Sequence, residues 1–141
     1  MGISTLFVKE KNVFDNNGTP GYMAPEIILD QPQEINSDYF SIGVLLYEFM
    51  NQRRPYQGKT RMIIKDLIIS KEIKITESEI PLDWTIEAAN LINKLLVRDP
   101  NKRVGKNGIS EIKYDPWFKD IDWTALYYKE IIPPFTPQVI L

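Results

Sequence analysis

Gly18-Thr19-Pro20-Gly21-Tyr22-Met23-Ala24-Pro25-Glu26 is the stretch on which the reading of this chain turns. As bare residues it is turn chemistry. Glycine and proline interrupt it four times, and neither a helical period nor a strand alternation survives across it. Residues 1–26 as a whole look irregular, with Lys9 to Asn17 polar and mixed. An irregular opening this long beside a compact domain is often functional.

Working outward, the next segment is the opposite in kind. Tyr39, Phe40, Ile42, Val44, Leu45, Leu46, Tyr47, Phe49 and Met50 occupy every side of a helical wheel over residues 37–50. A helix apolar all round is a buried, central one. Ser37 or Asp38 suits its N-cap. Residues Thr60 to Lys71 carry Ile63, Ile64, Leu67 and Ile68 on one face, and Ala88, Leu91, Ile92, Leu95 and Leu96 mark another amphipathic helix behind a Thr85 cap. Ser110 is placed to cap a short helix ending near Tyr114. From Ile121 aromatics and prolines alternate, which reads as an extended strap. The expected class is mainly α.

Composition bounds the chemistry. The 141 residues include 17 basic and 19 acidic side chains, for a net charge of −2, which argues against a generic nucleic-acid binder. The longest apolar helical run, Ile42 to Tyr47, is too short to span a bilayer. There is no Cys and no His, which removes thiol nucleophiles, a Ser-His-Asp triad and imidazole metal ligands. Chemistry is left to carboxylates, hydroxyls, Lys, Arg and the backbone. The expectation is a soluble cytoplasmic chain with neither nucleic-acid nor membrane partners.

The opening stretch closely resembles the end of the activation segment of eukaryotic protein Ser/Thr kinases, which closes on Ala-Pro-Glu. Three further matches follow in that family's order. Ser37-Asp38-Tyr39-Phe40-Ser41-Ile42-Gly43 resembles the start of its central helix. Leu95-Leu96-Val97-Arg98-Asp99-Pro100-Asn101-Lys102-Arg103 resembles its final signature. Asp115-Pro116-Trp117-Phe118 resembles its His-Pro-Trp-Phe element, with Asp115 in place of the usual His. Residues 121–141 are similar to the start of the C-terminal extension of the AGC group, and Arg53-Arg54-Pro55-Tyr56 is similar to the "yet another novel kinase" branch of that group. The resemblance implies the helical lower part of a kinase C-lobe over 1–120, followed by an AGC-type extension over 121–141.

It also implies roles. Gly18, Thr19, Pro20 and Glu48 would position substrate: Thr19 helps place the acceptor hydroxyl, and Glu48 receives a substrate Arg, as a carboxylate suits a guanidinium fork. The plain alternatives are a turn threonine and a solvated helix tip. Ala24, Pro25, Glu26, Asp38, Gly43 and Arg103 would be structural. Among them Glu26 and Arg103 resemble a buried ion pair, and Asp38 resembles a residue that holds the catalytic loop, or is simply a cap. Asp15 sits where AGC kinases often carry a phosphorylated Thr, as a partial phosphate mimic or as a polar loop residue. The apolar face at Ile63 to Ile68 is a docking surface in many kinases, or core packing.

The intact family transfers phosphate from ATP with Mg²⁺, using a Gly-rich loop, a strand Lys, a catalytic-loop Asp and a metal-binding Asp. None of these motifs occurs in the 141 residues. Met1-Gly2 aligns with the Phe-Gly of the metal-binding motif, so the expectation is a chain that begins inside the activation segment. Alone it would hold no cofactor and no metal, and would be inactive. Its partners would be a protein substrate or the rest of a kinase domain. The alternative is a non-catalytic helical interaction module. Either way, one face of the central helix should lack cover.

Overall fold

The computed structural model describes residues 19–137. Among them there is no strand; the elements are a 3₁₀ turn (Pro20–Tyr22), α1 (Pro25–Ile28), α2 (Asn36–Asn51), α3 (Arg61–Ser70), a 3₁₀ turn (Glu77–Glu79), α4 (Ile86–Leu95), α5 (Ser110–Lys113), a 3₁₀ turn (Pro116–Phe118) and α6 (Trp123–Tyr127). None of the described helices is long and apolar enough to cross a membrane. The described body is built of helices and 3₁₀ turns, in line with the expected mainly α class.

The packing centres on α2 against α4. Phe40, Val44 and Met50 of α2 bury against Ala88, Ala89 and Ile92 of α4 and Leu96 beyond it, joined by Ile68 of α3 and Tyr56. On the neighbouring side Tyr39 packs with Leu91 and Leu95, and Trp117 and Phe118 close over them. Gly43 makes the α2–α4 approach possible. A Cβ there would sit 2.8 Å from Leu95 Cβ and 3.1 Å from Leu96 Cδ2. Gly105 carries φ +90°, and a Cβ on it would meet the Tyr39 ring at 2.4 Å, so both backbone and space require glycine.

The helix ends follow local chemistry. Thr60 Oγ1 accepts from Ile63 N–H and Thr85 Oγ1 from Ala88 N–H, each satisfying a first-turn donor. Arg98 donates to the Ile69 carbonyl, a cation placed at the negative end of α3. Asn93 clamps the connector by bonding both the N–H and the carbonyl of Ile75.

Several expectations need correction. Neither Ser37 nor Asp38 caps α2; Ile35 holds the cap position without a side-chain bond, and Ser37 and Asp38 lie in the first turn. Their N–H groups donate to the carbonyls of Glu34 and Ile35, so the preceding turn supplies what a side-chain cap would have. Ser110 is likewise inside α5, not its cap. The strap is interrupted by α6, because Asp122 accepts from both Thr124 N–H and Ala125 N–H and so starts a helix that the aromatic spacing concealed. Four-residue α1 was hidden in the irregular opening. One expectation holds: α2 is not buried all round and leaves one face without cover. Asp38, Ile42, Leu45 and Phe49 form an exposed stripe, with Phe49 61% exposed.

Candidate functional site

The segment at 19–26 is held along one polar line of α2. Ser37, Ser41 and Glu48 are four and then seven residues apart, which brings them to one face of a 3.6-residue helix. Each engages the segment. Ser37 Oγ donates to Glu26 Oε1 at 2.8 Å, Ser41 Oγ donates to the Tyr22 carbonyl at 2.8 Å, and the Tyr22 hydroxyl donates to Glu48. Prolines at the first positions of the 20–22 turn and of α1 preset φ where an N–H would have no helical partner.

One end of this line is a buried ion pair. Arg103 and Glu26 are each 1% exposed, and lie 77 residues apart in sequence. Nη1 donates to Glu26 Oε1 at 2.6 Å and Nη2 to Oε2 at 2.9 Å, a bidentate fork. The other donors reach the carbonyls of Val97 (2.8 Å), Asn36 (2.9 Å) and Arg98 (3.1 Å), so all five guanidinium N–H groups have acceptors. Phe40 lies under the guanidinium, 5.1 Å from its centre. Burial pushes the Glu26 carboxyl up, but Arg103's bonds and charge, with Ser37's hydroxyl, outweigh it and hold the group below its ordinary value.

The other end is a partly exposed cluster. Glu48 takes the Tyr22 hydroxyl, Arg54 Nε stands 3.9 Å from Glu48 Oε1, and the Arg54 guanidinium lies 5.8 Å from the centre of the Tyr22 ring. The bond to Glu48 raises the Tyr22 hydroxyl above its ordinary pKa, burial and the Glu48 charge add to this, and Arg54 opposes it.

The remaining candidates fall as follows. Thr19 is exposed at the start of the 20–22 turn and its carbonyl accepts from Tyr22 N–H, while Pro20, Ala24 and Pro25 are buried. Asp38 is exposed, about 100° around α2 from Ser37. Gly43 is at the α2–α4 contact. Gly18 and Asp15 lie outside the described residues. The structure thus brings Glu26 to Arg103, and places Glu48 at the far end of the line that holds Glu26. It does not bring Asp38 into either group.

Sequence reasoning missed Ser41, Tyr22 and Arg54. The spacing of Ser37, Ser41 and Glu48 on a largely apolar helix was the available signal. It also missed Asn36, which is 1% exposed, donates to the Pro100 carbonyl at 2.6 Å, and whose Oδ1 has no partner among the described residues. Asp115 is buried too: it receives Lys94 Nζ at 2.8 Å and Trp117 N–H at 3.1 Å, a role an Asp before Pro at a helical start could have suggested.

Among the described residues no three carboxylates converge on a point that could hold a metal ion.

A family model described as the protein kinase domain matches residues 1–118. A probable serine/threonine-protein kinase of Dictyostelium discoideum is 42% identical over 97% of this chain and 29% of its own length. The RAC serine/threonine-protein kinase of Drosophila melanogaster is 40% identical over 86% of the chain and 20% of its own length. Ribosomal protein S6 kinase alpha-6 of Mus musculus is 34% identical over 92% and 16%. The chain therefore spans less than a third of the length of each of these relatives.

Proposed function

Because the chain belongs to the protein kinase domain family, of which it carries part, we propose that it forms the substrate-facing base of an AGC-type Ser/Thr kinase. The whole enzyme would transfer phosphate from ATP to a protein hydroxyl, with ATP and Mg²⁺ held by residues outside this sequence. Within the chain, residues 1–120 would be the catalytic-domain portion and 121–141 the start of the C-terminal extension. It would work in the cytoplasm, on a protein substrate.

The single observation that supports this reading is the fastening of residues 19–26 to the Ser37–Ser41–Glu48 line of α2. Buried Pro20 and the Tyr22 carbonyl bond keep the exposed Thr19 in one place. A hydroxyl held at a fixed turn can orient an incoming hydroxyl through hydrogen bonding, which is positioning and not proton transfer. Glu48 at the far end of the line would set where the rest of the substrate lies. Glu26 and Arg103 would act structurally, locking the turn to the base of the lobe.

The test is calorimetric titration of the 141-residue chain with ATP·Mg²⁺, followed by transfer assays on a Ser/Thr peptide. The expected outcome is no saturable nucleotide binding and no transfer, with the peptide alone perturbing the signals of Thr19 and Tyr22 in NMR. Saturable Mg²⁺-dependent binding would overturn the assignment of the nucleotide site to residues outside the sequence. Peptide binding that leaves Thr19 and Tyr22 untouched would favour the alternative, a non-catalytic helical interaction module.

A further inference from the structure

A cavity of about 400 Å³ lies between the connection from α1 to α2 and the turns that follow α4. Pro32 and Pro100 give it apolar wall, and Gln31 and Asn101 stand exposed beside it with carboxamide side chains. Its charged neighbours are matched in pairs. Arg103 holds both oxygens of Glu26, and Lys106 holds Glu34. The cavity therefore favours neither a cation nor an anion.

What this wall lacks is a hydrogen-bond donor for one atom. Asn36 lines the cavity and is 1% exposed. Its Nδ2 donates to the Pro100 carbonyl at 2.6 Å, and its Oδ1 has no partner among the described residues. Turning the amide over would set Oδ1 against the Pro100 carbonyl, two acceptors with no hydrogen between them, so the orphan must be Oδ1. A buried acceptor left without a donor is costly. Arg103 does not explain the amide, because it bonds only the backbone carbonyl of Asn36, which any residue would supply. Oδ1 is covered, so a ligand reaches it when a wall moves. The most movable part of the wall is the Lys106–Glu34 bridge, whose side chains are 29% and 47% exposed and which opens at little cost.

We infer that this cavity binds a primary carboxamide, whose N–H donates to Asn36 Oδ1. The group is neutral, as the paired charges require, and its carbonyl can accept from the amide of Gln31 or Asn101 while its apolar body rests on the two prolines. The carboxamide belongs either to a free small molecule or to a Gln or Asn side chain of a protein. The inference does not rest on the proposed function, since of residues 19–26 only Glu26 borders the cavity.

The experiment is an NMR titration of the whole ¹⁵N-labelled chain, read on the side-chain Nδ2 signals of Asn36. The probes are benzamide, N,N-dimethylbenzamide, which keeps the ring and carbonyl but has no N–H, and the benzamidinium cation. Benzamide is expected to shift the Asn36 signals saturably and to bind roughly tenfold more tightly than either of the others. An acetyl-Ala-Gln-Ala peptide distinguishes the sources. If it displaces benzamide where its Glu counterpart does not, the ligand is a protein side chain, and if neither does, it is a free small molecule. Asn36→Leu, close in volume and without the acceptor, should abolish benzamide binding with the remaining backbone signals in place. If that variant fails to fold, the benzamide and dimethylbenzamide pair still decides the matter on the unaltered chain. Equal binding of the dimethyl compound or of benzamidinium overturns the inference. So does a benzamide titration that leaves the Asn36 signals unmoved, or binding that survives in a folded Asn36→Leu chain.

Discussion

Replacing Arg103 by Met should strip the fold of its most heavily bonded side chain while roughly keeping its volume. The variant leaves the Glu26 carboxylate, 1% exposed, with Ser37 as its remaining side-chain donor. It also takes a hydrogen-bond donor from each of the carbonyls of Val97, Asn36 and Arg98. Removing one partner of a buried pair costs about 3–5 kcal/mol, a large part of the roughly 5–15 kcal/mol that holds a typical domain together. The pH dependence should change sign. In the native chain the Glu26 pKa is depressed, so its contribution is present above the ordinary value of 4.5 and is lost as pH falls through the lower folded value. Without Arg103, burial dominates and the folded pKa rises. The variant then loses stability as pH rises above the ordinary value, and regains part of it near pH 4. Urea titrations of both proteins at neutral and acid pH measure this, with Glu26→Leu/Arg103→Met as the companion variant. The double variant should be more stable than Arg103→Met at neutral pH, since no lone charge remains buried. A loss below about 1 kcal/mol at neutral pH for the single variant, or a loss independent of pH, would refute the reasoning.

Tyr56 is 1% exposed, its hydroxyl has no partner among the described residues, and burial pushes its pKa up to about 12. The folded state therefore resists deprotonation, and stability should fall by about 2–3 kcal/mol as pH climbs from the ordinary value of 10.0 towards 12. Tyr56→Phe should flatten that alkaline decline and leave neutral stability equal or slightly higher, as read by denaturant titration. Gly43→Ala should cost about 1–3 kcal/mol through its clash with Leu95, seen as a lower denaturation midpoint with an unchanged slope. Ile42→Ser with Phe49→Ser, on the exposed stripe of α2, should raise the concentration at which the chain stays monodisperse in light scattering, with little change in melting temperature.

Elements whose signal is local were legible before any tertiary contact was known. The one-sided spacing of Ala88, Leu91, Ile92, Leu95 and Leu96 needed nothing beyond a 3.6-residue period, and Thr85 announced where that helix starts. The ordered motifs from Gly18 to Phe118 were legible as a kinase C-lobe, and with them the identity of the Glu26–Arg103 partners. Local reading failed where the deciding groups come from distant chain. Ser37 reads as a cap, but its hydroxyl is drawn to Glu26 and the turn before α2 satisfies the backbone instead. The all-round apolar pattern of α2 reads as full burial, yet burial depends on what packs against each face, and the Ile42–Leu45–Phe49 face stays exposed. For Glu48 the sequence offers a substrate-facing carboxylate or a solvated helix tip, and names neither of its neighbours. Only tertiary structure delivers Tyr22 and Arg54 to it, because side-chain electrostatics is set by separation in space and a helical wheel records none between elements.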